Sequence, residues 1–242
     1  MKILAFDTST KFLSIACLED DSVKAAFHED VGIRHSEILI PTIKETVERL
    51  NWPLAEVELL CVGLGPGSFT GLRIAIATVK GLAAVLHNKV AGVPTMDAIV
   101  AGLPSAIAEG CPGKRANLRR LAPFLDARKG KIYTCIYDRS GGEPQRITDY
   151  LLVTVDELLD NLKEEVFFFG DAVAKYKKKL DFCPLALYAE DIDWYPRAVE
   201  IGRIGFRRSL RTADDPETID PLYLHAKECN IITGTDAKQG KV

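Results

Sequence analysis

The chain has 242 residues, of which 47% are hydrophobic and 27% charged, and its formal net charge is −3. That length allows one large domain or two small ones, and the balance of residue types is that of a globular protein with a real core, not a disordered or fibrous chain. A charge so close to neutral argues against unaided binding of nucleic acid, which needs a marked basic excess, so any contact with RNA is local or shared with a partner.

At the N-terminus the apolar run Ile3–Phe6 is stopped by Asp7, short of the ~7–15 apolar residues of a signal peptide. Lys2–Phe6 and Phe12–Leu18 read as the strands of a β-hairpin, with Asp7-Thr8-Ser9-Thr10 between them. A third strand is expected over Val23–Phe27. A helix follows from Ser36, with Ser36-Glu37 at its N-cap and first turn, the stripe Leu39, Ile43, Val47 and Leu50, and an early bend at Pro41. Leu59–Leu64 reads as a buried strand, Gly65–Gly71 as a loop, and Leu72 to about His87 as a long helix. No uncharged apolar run approaches the ~18 residues of a membrane span, so the cytoplasm is the expected location.

The turn-rich stretch Gly110–Arg115 reads as a linker, giving lobes over 1–109 and 114–228 and a polar tail over 229–242. In the second lobe Leu121–Leu125, Ile132–Tyr137 and Ile147–Val153 read as strands. Val155–Leu162 reads as a helix, Val166–Phe169 as a buried strand and Ala172 to about Leu180 as a helix, and a last helix is expected near Pro196–Leu210. Both halves thus run β-β-β-α-β-α, and each places an Asp at its first hairpin, Asp7 and Asp126. A duplicated unit of this order is the architecture of actin, the sugar kinases and the heat-shock ATPases, so the expected fold is α/β and actin-like, with a reduced C-terminal lobe. The cysteines Cys17, Cys61, Cys111, Cys135, Cys183 and Cys229 have no C-x-x-C or zinc-knuckle spacing, and read as core residues or free thiols.

Gly65-Pro66-Gly67-Ser68-Phe69-Thr70-Gly71 follows a strand and opens a helix, where backbone N–H groups and the helix dipole can hold a phosphate. Leu72-Arg73 follows Gly71 where a nucleoside-triphosphatase loop needs Lys-Ser/Thr, so that motif is absent. The alternative is that the glycines only allow a tight turn and that Ser68 and Thr70 cap the helix. Phe167-Phe168-Phe169 reads as a buried strand and Lys175 with Lys177–Lys179 as a solvated helix end.

The string Gly65–Arg73 resembles the signature of the TsaB (YeaZ) family. Ile3–Ser9, His35-Ser36-Glu37, Leu125–Tyr133 and Pro221-Leu222-Tyr223-Leu224 are similar to that family as well, in order, and the resemblance spans residues 1 to about 228. It implies a cytoplasmic subunit for threonylcarbamoyladenosine formation on tRNA. Such a subunit pairs with TsaD, the catalytic relative of the same fold in a superfamily once labelled glycoprotease, and is joined by the ATPase TsaE. TsaD holds its metal on two histidines four apart on a helix, a spacing that puts both rings on one face. The four histidines here, His28, His35, His87 and His225, have no such spacing, so a metal site, the TsaD role and a metallopeptidase role are not expected.

Nucleotide binding in this fold needs two phosphate hairpins with small residues. Asp7 and Ser9 suit the first, with Gly65, Gly67, Ser68 and Thr70 from the loop as further phosphate-facing candidates. Arg128 and Lys129 occupy the second, and the Gly170-Asp171 loop lacks a second glycine. No cofactor is therefore expected on the chain alone, and no catalytic residues. Two readings of Arg128 and Lys129 stay open: they face ATP, ADP or another phosphate at a partner interface, or they are a solvated turn. The runner-up function is a small-molecule kinase or ATPase using Asp7 and the Gly65–Gly71 loop.

On the long helix, Ala77, Gly81 and Ala84 recur at four- and three-residue spacing between Ile74 and Val85, opposite the expected core stripe of Leu72, Ile76, Val79, Ala83 and Leu86. Ile40 lies outside the stripe of the neighbouring helix. These six residues either pack the two helices on each other or, as TsaB relatives imply, form half of a helical bundle completed by TsaD, or by a second copy in a homodimer. Contact with tRNA would then be indirect, through the complex.

Overall fold

The computed structural model describes residues 1–103, 119–141, 143–189 and 194–224. The described chain divides into two compact units, one made of residues 1–102 with 195–223 and the other of residues between 103 and 194.

In the first unit β1 (Lys2–Asp7), β2 (Phe12–Glu19) and β3 (Ser22–Asp30) form an antiparallel meander. α1 (His35–Arg49), β4 (Leu59–Gly63), α2 (Phe69–Leu86), β5 (Lys89–Val93) and α3 (Thr95–Ala101) follow. The sheet order is β3-β2-β1-β4-β5, with β4 parallel to both β1 and β5. Strand alternation explains its two covered faces. Leu4 and Phe6 point into a core with Leu39, Ile43 and Val47 of α1 and Ala75, Ile76, Val79 and Ala83 of α2. Ile3 and Ala5 point the other way, onto Ala98 of α3 and onto Ala198 and Ile201 of a helix that arrives from the far end of the chain.

The second unit contains β6 (Arg120–Arg128), β7 (Lys131–Thr134), a small added hairpin β8 (Tyr137–Asp138) and β9 (Gln145–Arg146), β10 (Leu151–Thr154), α4 (Val155–Asp160), β11 (Val166–Phe169), α5 (Ala172–Asp181) and β12 (Ala186–Tyr188). Its main sheet runs β10-β7-β6-β11-β12. That is the same third-second-first-fourth-fifth arrangement as in the first unit. α4 opens with a capping box in which Thr154 and Glu157 satisfy each other's backbone N–H groups. Phe167, Phe168 and Phe169 are buried in β11. The chain therefore has the duplicated α/β actin-like fold; apart from β6, the strands of the second copy are shorter than their counterparts, and its described helices are shorter too.

Several expectations need correction. β5 is missing from the sequence reading. α1 starts at His35 with Arg34 as N-cap and no side-chain cap, because buried His35 belongs to the helix, its Nε2 standing 3.3 Å from the Phe12 carbonyl. The helix then continues through Pro41. The last helix, α6 (Ala198–Ser209), and the segment to Tyr223 were expected with the second lobe but belong to the first unit. Ser14 Oγ accepts from the Ala198 N–H at 2.8 Å, and the small Gly202 and Gly205 let the helix lie close on Leu18 and Cys61. The expected linker and tail lie outside the described residues. Cys17, Cys61 and Cys183 are free thiols; burial pushes Cys17 up to about 12 and Cys61 up as well, so both are inert core groups.

Candidate functional site

Asp7 ends β1 with its carboxylate fully buried. Ser9 donates to Oδ1 from its backbone N–H at 2.8 Å and from its hydroxyl at 2.6 Å. Thr95, the first residue of α3, donates its hydroxyl to Oδ2 at 3.1 Å while accepting the Gly65 N–H at 3.0 Å. Burial pushes the Asp7 carboxyl above the usual range, and the bonds from Ser9 and Thr95 partly oppose this.

The Gly65–Gly71 loop lies directly against the β1–β2 turn. The Ser68 N–H donates to the Ser9 carbonyl at 2.7 Å, and the Thr8 hydroxyl to the Gly71 carbonyl at 2.7 Å. A Cβ on Gly67 or Gly71 would strike the Ser9 or Thr8 carbonyl, so these two glycines serve close backbone approach. Ser68 caps α2, its Oγ accepting the Gly71 N–H at 3.2 Å. The structure thus gathers Asp7, Ser9, Gly65, Gly67 and Ser68 into one cluster, with Thr70 exposed on the first turn of α2. Thr95 is the member that sequence reasoning missed; it sits just beyond the missed β5, and only the Pro94-Thr95 pair hinted at a helix start there.

Arg128 and Lys129 lie in the other unit, at the exposed tip of the β6–β7 hairpin. Arg128, Lys129 and Gly130 have φ of +64°, +49° and +77°, a left-handed conformation that costs a non-glycine residue about 1 kcal/mol or more. At the base of this hairpin Asp126 takes the Lys175 ammonium on both oxygens, at 3.0 and 2.9 Å, and the Arg128 N–H at 3.1 Å. The Asp126 N–H donates to Asp171 Oδ1 at 2.8 Å. Burial is the first cause that raises the Asp171 carboxyl above its usual range.

His28 lies on β3, His35 opens α1 and His87 ends α2, on three separate elements, while His225 is outside the described residues. Among the described residues no group of three or more His, Cys, Asp or Glu side chains is placed to hold a metal ion.

α2 is long and apolar enough, by length and composition alone, to cross a membrane. It is the crossover between the parallel strands β4 and β5, so only part of its apolarity is used in the core. Ala77, Gly81, Ala84 and Val85 are exposed, Val85 to 76%, and Ile74 is half-buried. Ile40 of α1 is 51% exposed. A Cβ added to Gly81 would meet nothing within 4 Å.

The family model described as TsaD, tRNA N6-adenosine threonylcarbamoyltransferase, matches residues 27–196. The chain is 28% identical over 184 residues to the Bacillus subtilis tRNA threonylcarbamoyladenosine biosynthesis protein TsaB, covering 75% of this chain and 76% of that one. It is 34% identical over 139 residues to TsaB of Escherichia coli, covering 57% and 56%. Among solved structures, YeaZ from Pseudomonas aeruginosa superposes with a TM-score of 0.72 at 28% identity, covering 92% of this chain and 99% of that one. The chain belongs to the family of the matching model and, within it, to the TsaB/YeaZ group.

Proposed function

We propose that this chain is a non-catalytic, cytoplasmic scaffold subunit required for threonylcarbamoyladenosine formation on tRNA. It pairs with the catalytic subunit TsaD, engages the TsaE ATPase, and meets tRNA only through that complex. Membership of the TsaB/YeaZ group supports the reaction, and the outer face of α2 supports the mode of action.

Gly81 is the observation that carries the second part. A glycine in mid-helix destabilises a fold by about 0.5–1 kcal/mol relative to alanine, yet the fold makes no use of its smallness, since the space beside it is open. With Ala77 and Ala84 it leaves a smooth strip on which another helix can lie closely. Ile74 and Val85 flank the strip on α2, and exposed Ile40 adds apolar surface on α1. When TsaD is absent, a second copy can cover the same face, giving a homodimer.

The alternative, a kinase or ATPase built on Asp7, needs that carboxylate to reach a phosphate or its cation. Ser9 and Thr95 already occupy both oxygens. Arg128 and Lys129, exposed at their hairpin tip, are left to face a phosphate, such as that of ATP or ADP, only where a partner supplies the rest of the site.

The test is reconstitution with purified TsaD, TsaE, tRNA and the small substrates. Modification is expected only when this chain and TsaD are both present, with no ATP turnover by this chain alone. Turnover by the isolated chain that disappears in Asp7→Ala would move the assignment to the kinase reading.

A further inference from the structure

Phe69, Arg73 and Tyr223 lock one another on the surface at the N-terminal end of α2. The Arg73 guanidinium carbon stands 3.8 Å from the centroid of the Phe69 ring. The Phe69 and Tyr223 rings are 5.6 Å apart, and Arg73 Nε donates to the Tyr223 hydroxyl at 3.1 Å. Tyr223 is held in turn by its own segment, because the Leu222 N–H donates to the Leu64 carbonyl at 2.8 Å and Ile219 is buried in the core beneath α1 and α2.

The two rings nonetheless stay 55% and 43% exposed. Burial within the chain therefore does not account for them. Aromatic and arginine side chains are the types that dominate binding energy at interfaces, and side chains already fixed in place lose little freedom on binding. Phe69, Arg73, Ala77 and Gly81 follow one another at four-residue spacing, so the cluster is continuous with the smooth strip of α2.

The first turn of α2 contains no acid, the helix N-terminus is the positive pole of its dipole, and among the described residues no acceptor takes the two Nη groups of Arg73. The geometry points to this cluster as the anchor of the partner interface. A carboxylate of the partner protein is held in bidentate fashion by the Arg73 Nη groups, and an apolar side chain beside it covers the Phe69 and Tyr223 rings. This inference rests on the proposed pairing through α2. A stacked base with its phosphate would suit the same three side chains, but the adjoining strip is Ala77, Gly81 and Ala84, not a basic track, which favours protein.

The experiment is a titration of the full chain and its variants with purified TsaD at low and high salt, with a thermal melt of each isolated variant. Phe69→Ala and Arg73→Met are each expected to weaken binding about 10-fold or more. Arg73→Met also flattens the salt dependence, because the charged contact is gone. Tyr223→Phe, which keeps the ring, is expected to cost only a few-fold, and the melts should match the parent. Gly81→Arg is the control for the pairing itself. If it abolishes binding while Phe69→Ala and Arg73→Met bind like the parent, the anchor is wrong and the face stands. If all three bind like the parent, the face is wrong and the anchor falls with it. If the anchor variants keep TsaD but the complex loses tRNA on a filter, the cluster reads nucleic acid and the protein anchor is overturned.

Discussion

Asp7 and Asp126 occupy the same place in the repeated topology, each at the first hairpin of its unit, and their surroundings are opposite. Asp7 is fully buried, bonded by Ser9 and Thr95, and pushed by burial toward its neutral form. Asp126 keeps 25% of its side chain exposed and is paired with the half-exposed ammonium of Lys175. The first acid ties the end of β1 to the start of α3 and, through Thr95, to the Gly65 loop; the second closes a surface ion pair at the base of a strained basic hairpin. In both units the chain's own groups occupy the acid's oxygens. The repeat therefore persists as architecture, with each acid bonded to groups of its own unit.

The largest effect is expected for Asp7→Ala, which strands the Ser9 N–H, the Ser9 hydroxyl and the Thr95 hydroxyl in a buried site. Unmade buried bonds of this kind cost about 1–3 kcal/mol each and are only partly additive, so a loss of about 2–4 kcal/mol in denaturant unfolding is expected. Asp7→Asn keeps acceptors for Ser9 and should fall well short of that loss. It also isolates the charge. With the folded-state pKa raised, the native protein holds the proton more tightly than the unfolded chain. Stability therefore declines as pH rises from the ordinary carboxylate range through the raised value of Asp7. That component should vanish in Asp7→Asn, and an unchanged pH profile would mean that the carboxyl is not the buried group described. The smallest effect belongs to the second unit: Lys175→Met removes an exposed ion pair, which is screened and weak, and the melt should not change measurably. A large loss there would make the two hairpins alike and end the contrast.

Much of the first unit was legible because its pattern is strong. The near-continuous apolar runs in Lys2–Phe6 and Phe12–Leu18 and the stripe Leu39, Ile43, Val47 need no tertiary context. β5 was not legible, since Lys-Val-Ala-Gly-Val is short and carries three residues of low strand propensity, Lys89, Ala91 and Gly92. The attachment of α6 was hidden for a different reason. Ala198, Ile201, Gly202 and Gly205 show a small, apolar face, but nothing local says which sheet it covers. In the candidate site, Asp7 and Ser9 stand out by their place after a strand, whereas Thr95 is recognised only when β5 is. Spacing alone exposed the strip Ala77, Gly81, Ala84. The Arg73–Tyr223 bond could not be read, because its partners lie 150 residues apart and each is unremarkable in its own segment.

The outer face of α2 carries the proposed function, and Gly81→Arg tests it most directly. The variant's affinity for TsaD is compared with the parent's by titration and co-elution on a sizing column, alongside a melt of the isolated monomer. Because the space beside Gly81 is open in the chain itself, the melt should be unchanged within the small helix-propensity difference between the two residues. A long charged side chain at the centre of a close helix contact should weaken association at least ~30-fold, equivalent to ~2 kcal/mol. A folded Gly81→Arg protein that binds TsaD as tightly as the parent would contradict the assignment of this face.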